Sequence, residues 1–327
     1  MKAVAIPRFG GPEVLSLVDV PTPEPAPGQV TIDVTHAGAN FAEVLYRRGL
    51  VEVALPFVPG IEVAGHIRAV GAGVTDLTPG QPVAALTIVD SGGYAEVART
   101  DARLVAALPG NAGDDELALA SGIPSNTTTA FMVLRDVARM RAGDALLVHA
   151  AAGGVGSQIG QVAQLLGASR VIGVVGSESK RAAAQRFGYD EVILNEELDE
   201  HPVNGGFDVI TDMVGGQSRR GSLDRLALGG RLVAMGNASG EEDVQVSANE
   251  LWLAGTGVLG FNLAAMSAAR ASDVGDVLRA AVDAVLAGEV RVEVSARVPL
   301  ERAPEAHEKL ESRASTGKIV LDVQRRG

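Results

Sequence analysis

The stretch best equipped for chemistry is a glycine-rich turn between an apolar run and a helical period, residues 145–167, ALLVHAAAGGVGSQIGQVAQLLG. Residues 146–150 form a short apolar run, broken only by His149, as a buried strand does, and Val155, Ile159, Val162, Ala163 and Leu166 recur at helical spacing. Between them Ala151, Gly153 and Gly156 have the spacing of a dinucleotide fingerprint with alanine in the first place. At Gly153 the backbone can approach a pyrophosphate, Gly156 lets the helix pack on the strand, and the helix N-terminus offers N–H groups to the anion. Ala152, Gly153, Gly154, Val155 and Gly156 are therefore expected to cradle a dinucleotide.

Which dinucleotide depends on the end of the next strand, about 20 residues on. Residues 170–175 read as that strand, followed by Gly176, Ser177, Glu178, Ser179, Lys180 and Arg181. A ribose 2'-hydroxyl wants a carboxylate at this strand end, whereas a 2'-phosphate is repelled by one and wants donors and positive charge. Here Gly176 ends the strand, Ser177 can donate a hydroxyl, Lys180 supplies a point charge, and Arg181 can stack or pair beside the adenine. The alternative is a solvated first helical turn, but two cations there oppose the helix dipole and need an anion to justify them. Glu178 is the one residue that suits NADH. The expected cofactor is NADPH.

The elements that must hold this turn follow from the rest of the chain. Its 327 residues are too many for one ordinary core and enough for two, and 46% hydrophobic with 21% charged residues can fill them. Cysteine is absent, which excludes disulfides, thiolate metal sites and cysteine nucleophiles. A net charge of −12 disfavours a general nucleic-acid surface. No apolar stretch reaches the roughly 18 residues of a membrane span, and the N-terminus turns polar too early for a signal peptide, so a cytoplasmic protein is expected.

Residues 1–110 read as β structure. Short strands are expected at 4–6, 15–20, 30–37, 65–70, 83–86 and 94–97, with proline and glycine turns at barrel-like spacing and one helix at 41–48. From residue 114 the period changes. Helices at 114–120 and 127–140 lead into the fingerprint strand, and strands at 170–175, 191–194, 207–212, 230–235 and 251–258 then alternate with helices at 180–187 and 217–226. A long helix at 272–287 precedes strands at 292–299 and 319–323 with a helix at 303–312 between them. The expected fold class is α/β, with residues 1–122 as a barrel domain completed by 293–327 and residues 123–292 as a doubly wound dinucleotide domain. The apolar run 251–260 lies near the end of the sheet, where an uncovered edge is an aggregation liability. A homodimer that pairs this edge with its two-fold mate and buries Trp252 or its neighbours is expected.

The segments GANFAEVLYRRG (38–49), PGIEVAGHIRAVGAGV (59–74), GGYAEV (92–97), HAAAGGVG (149–156), GGRLVAMGNASG (229–240) and AHEKLESRASTGKIVL (306–321) together resemble the zinc-free quinone oxidoreductase, zeta-crystallin-like branch of the medium-chain dehydrogenase/reductase superfamily. The resemblance spans essentially the whole chain. It implies an N-terminal GroES-like barrel, a Rossmann domain, and a homodimer or higher oligomer. Zinc-dependent relatives have a cysteine where Asn40 stands and a histidine where Ile61 stands. The five histidines, at 36, 66, 149, 201 and 307, show no spacing that would replace those ligands.

The resemblance also implies site residues. Asn40 would lie beside the nicotinamide or the acceptor, though as a residue before a helix it is equally suited to be a cap. Thr129 would face the nicotinamide ribose, though a hydroxyl inside a helix also bonds back to the preceding turn. Gly236 and Asn237 match the loop under the cofactor, and the 257–261 segment, with Leu259 and Phe261, would meet the carboxamide. Arg313 and Lys318 would close the phosphate side. Two positions depart from the pattern. Asn195 stands where several relatives have a tyrosine that reaches the 2'-phosphate. Val51 stands where many have a tyrosine near the nicotinamide, which leaves Tyr46, five places earlier, as the nearest phenol and a candidate catalytic residue with Asn40 and Thr129.

Without an ion to polarise an alkoxide, the expected reaction is hydride transfer to an acceptor that is already electrophilic, a quinone or a small α,β-unsaturated carbonyl. The absence of a tyrosine at position 51 favours these acceptors, because a reduced quinone takes its protons from water whereas an enolate carbon needs a placed acid. Two alternatives are an enoyl thioester reductase, for which Arg47 and Arg48 are the only hint of a basic entrance, and a crystallin-like or nucleic-acid-binding role.

Overall fold

The computed structural model describes residues 1–202, 205–312 and 314–324. The first strands, β1 (Lys2–Ala5) and β2 (Ser16–Asp19), pair antiparallel. The long strand β3 (Gln29–Ala39) runs into helix α1 (Phe41–Arg48) and is followed by β4 (Glu62–Val70), β5 (Pro82–Leu86), β6 (Val97–Asp101), β7 (Val105–Ala107) and helix α2 (Asp114–Ala120). Strand β6 begins where the strand expected at 94–97 was to end; Ala95 makes only an isolated bridge to Ala3.

Helix α3 (Asn126–Phe131) continues as a π-helical stretch, Met132–Val137, in place of one regular helix to residue 140. Alternation then follows as β8 (Ala145–Val148), α4 (Gly156–Leu165), β9 (Arg170–Val175), α5 (Glu178–Ala184), β10 (Glu191–Leu194), β11 (Phe207–Asp212), α6 (Gly216–Leu223), β12 (Leu226–Ala234), α7 (Ala248–Ala254) and β13 (Gly257–Gly260). The expected strand at 251–258 is corrected here, since residues 251–254 are the last turn of α7 and the strand is only β13. The chain closes with α8 (Leu263–Ala269), α9 (Ala271–Leu286), β14 (Val294–Pro299), α10 (Ala303–Glu311) and β15 (Lys318–Asp322).

These elements form two compact units, residues 1–128 with 263–288 and 292–327, and residues 129–262 with 289–291. The expected division differs at two places. Its first boundary moves from 122 to 128, and the helices of 263–288 join the barrel unit because α9 packs its buried Val274, Val277, Leu278 and Ala281 on β7 and the turn before it.

In the first unit seven strands form one sheet, in the order β14-β15-β3-β4-β5-β7, with β6 also paired to β3. The C-terminal strand β15 lies antiparallel to β3, so the chain end completes the N-terminal barrel as expected. Val30, Ile32, Val34, Val63, Ile67, Val83, Ile319 and Leu321 form its core. In the second unit six parallel strands are ordered β10-β9-β8-β11-β12-β13. The order reverses beside β8, and ligands of such sheets bind at the carboxyl ends of the strands at this point. Leu147, Ile172, Val174, Ile193, Phe207, Ile210 and Leu232 are its core.

Candidate active site

In the sheet unit the fingerprint occupies the turn from β8 into α4. Ala150 is held at φ 51°, a left-handed conformation uncommon for a residue with a Cβ and typical of functional turns. Gly156 has no alternative, because a Cβ there would lie 2.3 Å from the Ala150 carbonyl oxygen. The Gly153 amide closes the turn onto Ala150 O at 2.9 Å. Among the described residues the amides of Gly154 and Val155 make no backbone hydrogen bond, which leaves them to an anion at the start of α4.

The adjacent strand ends bring the other expected contacts to the same edge. Gly176, exposed, follows β9, and Ser177 is the residue before α5. Asn195, exposed after β10, places its Nδ2 3.6 Å from where a Cβ on Gly176 would stand. Lys180 is half-buried in the first turn of α5. Arg181 is drawn elsewhere, since its guanidinium meets Glu197 at 2.5 Å and Glu178 at 3.3 Å. The expectation that Arg181 attends the adenine is corrected accordingly, and so is the argument that both first-turn cations await an anion, because Glu178 and Glu197 already serve Arg181. Glu178 faces Arg181 from a largely exposed position.

Gly236 and Asn237 follow β12 and are exposed. Arg219 ties that loop down, donating to Gly236 O at 2.6 Å while pairing with the buried Asp212 at 2.7 Å, whose carboxylate also takes the Val214 and Gly215 amides. The Asn237 amide donates to Glu241 O at 3.1 Å, and the Gly236 and Asn237 carbonyls accept from Arg219 and the Gly240 amide. Leu259 lies in β13, and Phe261 follows it with its amide on Ala234 O at 3.0 Å. Thr129 is buried in α3. His149 is a satisfied core residue, hydrogen-bonded to Ser222 Oγ at 2.8 Å and Ser218 Oγ at 3.2 Å, and burial holds its pKa below the usual imidazole value.

The barrel unit holds a second polar group, centred on Asn40. Its position follows from strand register. Ile319 pairs with Ala39 and Val63 with Ala37, so the end of β3 is flanked by the first residues of β15 and β4, which are Lys318 and Glu62. The Asn40 amide oxygen accepts from Lys318 Nζ at 2.6 Å, and its nitrogen donates to Glu62 Oε1 at 2.9 Å and to Gly38 O at 3.3 Å. Lys318 also pairs directly with Glu62 Oε1, and Glu62 Oε2 accepts the Ser125 amide at 2.7 Å. Glu62 and Lys318 are buried, Asn40 half-buried. Gly38 makes the room, because a Cβ there would meet Glu62 Oε1 at 2.5 Å. Glu43, also fully buried, accepts the backbone amides of Asn40 at 2.9 Å and Ile61 at 3.2 Å. Burial pushes its pKa up to about 7 against the opposing pull of Lys318.

Three expectations change here. Lys318 is not available to a cofactor phosphate, since its ammonium is buried and engaged by Glu62 and Asn40. Arg47 is not an entrance residue, being fully buried and paired with Glu311 at 2.7 Å, with Arg48 on the other oxygen of the same carboxylate. Tyr46 packs its ring edge-on to Phe57, centroids 5.6 Å apart, against the barrel core, a packing role rather than an acid's. Arg313 lies outside the described residues. Glu43 and Glu62 were missed, although a lone carboxylate inside each of the apolar runs FAEVL and GIEVAG signalled that each must be paired or neutral.

Comparison with known proteins accords with this arrangement. Residues 26–110 match the family described as alcohol dehydrogenase GroES-like domain, and residues 187–321 that described as zinc-binding dehydrogenase. The chain is 34% identical to quinone oxidoreductase of Rattus norvegicus, over 98% of this chain and 97% of that one. It is 32% identical to 2-haloacrylate reductase of a Burkholderia species, over 98% of each. Among solved structures, Escherichia coli quinone oxidoreductase complexed with NADPH superposes with a TM-score of 0.88 at 30% identity, covering 99% of this chain and 100% of the other. The zinc implied by the second family's description does not fit the residues present. Among the described residues no three histidines, aspartates or glutamates converge as a metal site, and of the two carboxylates beside Asn40, Glu62 is paired with Lys318 and Glu43 accepts two backbone amides.

Proposed function

This chain belongs to the quinone oxidoreductase family of the medium-chain dehydrogenase/reductase superfamily and is a nicotinamide-dependent oxidoreductase, and on that premise we propose that it uses NADPH to reduce quinones and compact α,β-unsaturated carbonyls without zinc or flavin. The observation that carries this reading is the Asn40–Glu62–Lys318 cluster, in which an amide, a carboxylate and an ammonium neutralise one another where zinc-dependent relatives have a metal ligand. Such a site orients an acceptor and has no strong acid. The relatives' named acceptors, a quinone and a 2-haloacrylate, are both conjugated, and in both the negative charge left by an added hydride delocalises onto oxygen.

NADPH, when bound, supplies the hydride. The chain's part is to hold it: the amides of residues 152–156 at the pyrophosphate, Ser177, Lys180 and Asn195 at the 2'-phosphate, the 236–237 and 259–261 backbone and Thr129 toward the nicotinamide end. No carboxylate follows β9 except Glu178, which is paired with Arg181, and this supports NADPH over NADH. The enoyl thioester reading rested on Arg47 and Arg48, of which Arg47 is buried and both are paired with Glu311. We also propose that the protein is a homodimer joined through β13.

A steady-state panel tests the function: 1,4-benzoquinone, a naphthoquinone, a small enone, an enoyl thioester and a simple ketone, each with NADPH and chelated protein. Quinone or enone turnover that survives chelation is expected, with the ketone inert. Efficient thioester reduction beside negligible quinone reduction overturns the reading.

A further inference from the structure

We propose that Lys318 and Glu62 are positioning residues that lock the Asn40 amide in one orientation, so that the barrel unit presents it to the acceptor as a preset polar group. The inference rests on the reductase reading above. Lys318 faces the amide oxygen at 2.6 Å and Glu62 the amide nitrogen at 2.9 Å. An asparagine flipped end for end would set its NH2 against an ammonium and its carbonyl against a carboxylate, both repulsive, so the pair excludes one of the two orientations an amide otherwise adopts. Lys318 and Glu62 are themselves fixed, as the first residues of strands that flank β3 and, for Glu62, by the Ser125 amide at 2.7 Å. The second Asn40 N–H, on Gly38 O at 3.3 Å, is the most weakly used contact of the amide. With the amide oxygen and the other N–H held, this N–H has a set direction, and it is the donor left to strengthen its bond to an acceptor's developing oxyanion. A fixed donor that needs no reorganisation as charge develops stabilises the transition state more than a mobile one.

The test removes both charges together, since Lys318→Met alone strands a buried carboxylate. Wild type, N40A, E62Q/K318M and the triple variant are compared with NADPH and 1,4-benzoquinone. The expected result is that E62Q/K318M loses roughly 10²-fold in kcat with the Kd for NADPH unchanged, and that adding it to N40A costs nothing further. Multiplicative losses, wild-type kcat in E62Q/K318M, or a loss confined to NADPH affinity overturns the proposal. A readout independent of catalysis and of the charge-removed variant folding is hydrogen exchange of the Asn40 side-chain amide in wild type, assigned by its loss in N40A. It should be slowed by about tenfold or more relative to an exposed asparagine, and exchange at the exposed rate overturns the positioning role. If wild type reduces no quinone, the reductase reading fails while this exchange result still decides whether the amide is held.

Discussion

Lys180 and Glu43 show how differently single side chains in this protein stand toward solvent and charge. Lys180, half-buried in the first turn of α5, is the cation we propose at a 2'-phosphate, Arg181 being paired with Glu197 and Glu178. Lys180→Ala should weaken NADPH by about 1.5–3 kcal/mol, the worth of a charge-assisted bond, and leave NADH almost unchanged; equal losses in a fluorescence titration would defeat the assignment. Glu43 is a stability residue. Its pKa rises on folding from 4.5 to about 7, chiefly by burial, so its contribution is complete below pH 4.5 and is lost as the pH climbs to 7, by about 3 kcal/mol at ~1.4 kcal/mol per pH unit. His307 works in the opposite sense. Burial first, and then the Arg47 charge, hold its imidazole down to about 3, so its contribution is lost as the pH falls from 6.5 toward 3. The two slopes oppose each other between pH 4.5 and 6.5, so only the difference between wild type and Glu43→Gln isolates the glutamate. That difference in unfolding free energy should fall steadily from pH 4.5 to 7, and a flat one would remove Glu43 from the account.

At the scale of elements, what was legible in the sequence is what local spacing decides. The turn from β8 into α4 is written in 12 consecutive residues, and α1, α2, β9, β10 and β11 lie where periodicity puts them. Gly156→Ala should destabilise the chain by about 1–3 kcal/mol and abolish cofactor binding, because the new methyl collides with Ala150 O at 2.3 Å. Denaturant unfolding with an NADPH titration checks both, and an unperturbed protein would mean that the turn is looser than it stands. The run LWLAGTGVLG failed because an apolar stretch fits a strand and a buried helix alike. The deciding signal was the cap before it: Ser247, with glutamate three residues on, accepts the Glu250 amide at 3.1 Å and starts α7, which Gly255 stops at φ 64°. The Asn40 cluster was only half legible. Asn40 came from resemblance, but its partners Glu62 and Lys318 lie 22 and 278 positions away and meet it only through the register of three strands.

For the whole molecule, the six-stranded sheet leaves β13 as an open edge, and the surface beside it carries the most exposed large apolar side chains described, Leu228, Leu253 and Trp252, at 88%, 77% and 76%. Leu228 and α7 are joined at this edge, where the Gly229 amide bonds Gly255 O at 2.7 Å. An unprotected edge next to such a patch favours association, and a two-fold mate satisfies both features at once: its own β13 continues the sheet and its own patch covers this one. In the proposed dimer the residues of α7 that left the predicted strand would cover the interface rather than form its ladder. Trp252 is the chain's single tryptophan, so its emission reports this surface alone. Light scattering at micromolar concentration should give twice the 33.5 kDa chain mass, with Trp252 emission blue-shifted and moving to the red on dilution. Leu253→Asp should bring the red-shifted spectrum and the single-chain mass at the same concentration, since each two-fold interface would then bury two unpaired carboxylates. A monomeric mass for the wild type, or a dimer indifferent to Leu253→Asp, places the contact elsewhere and leaves β13 exposed.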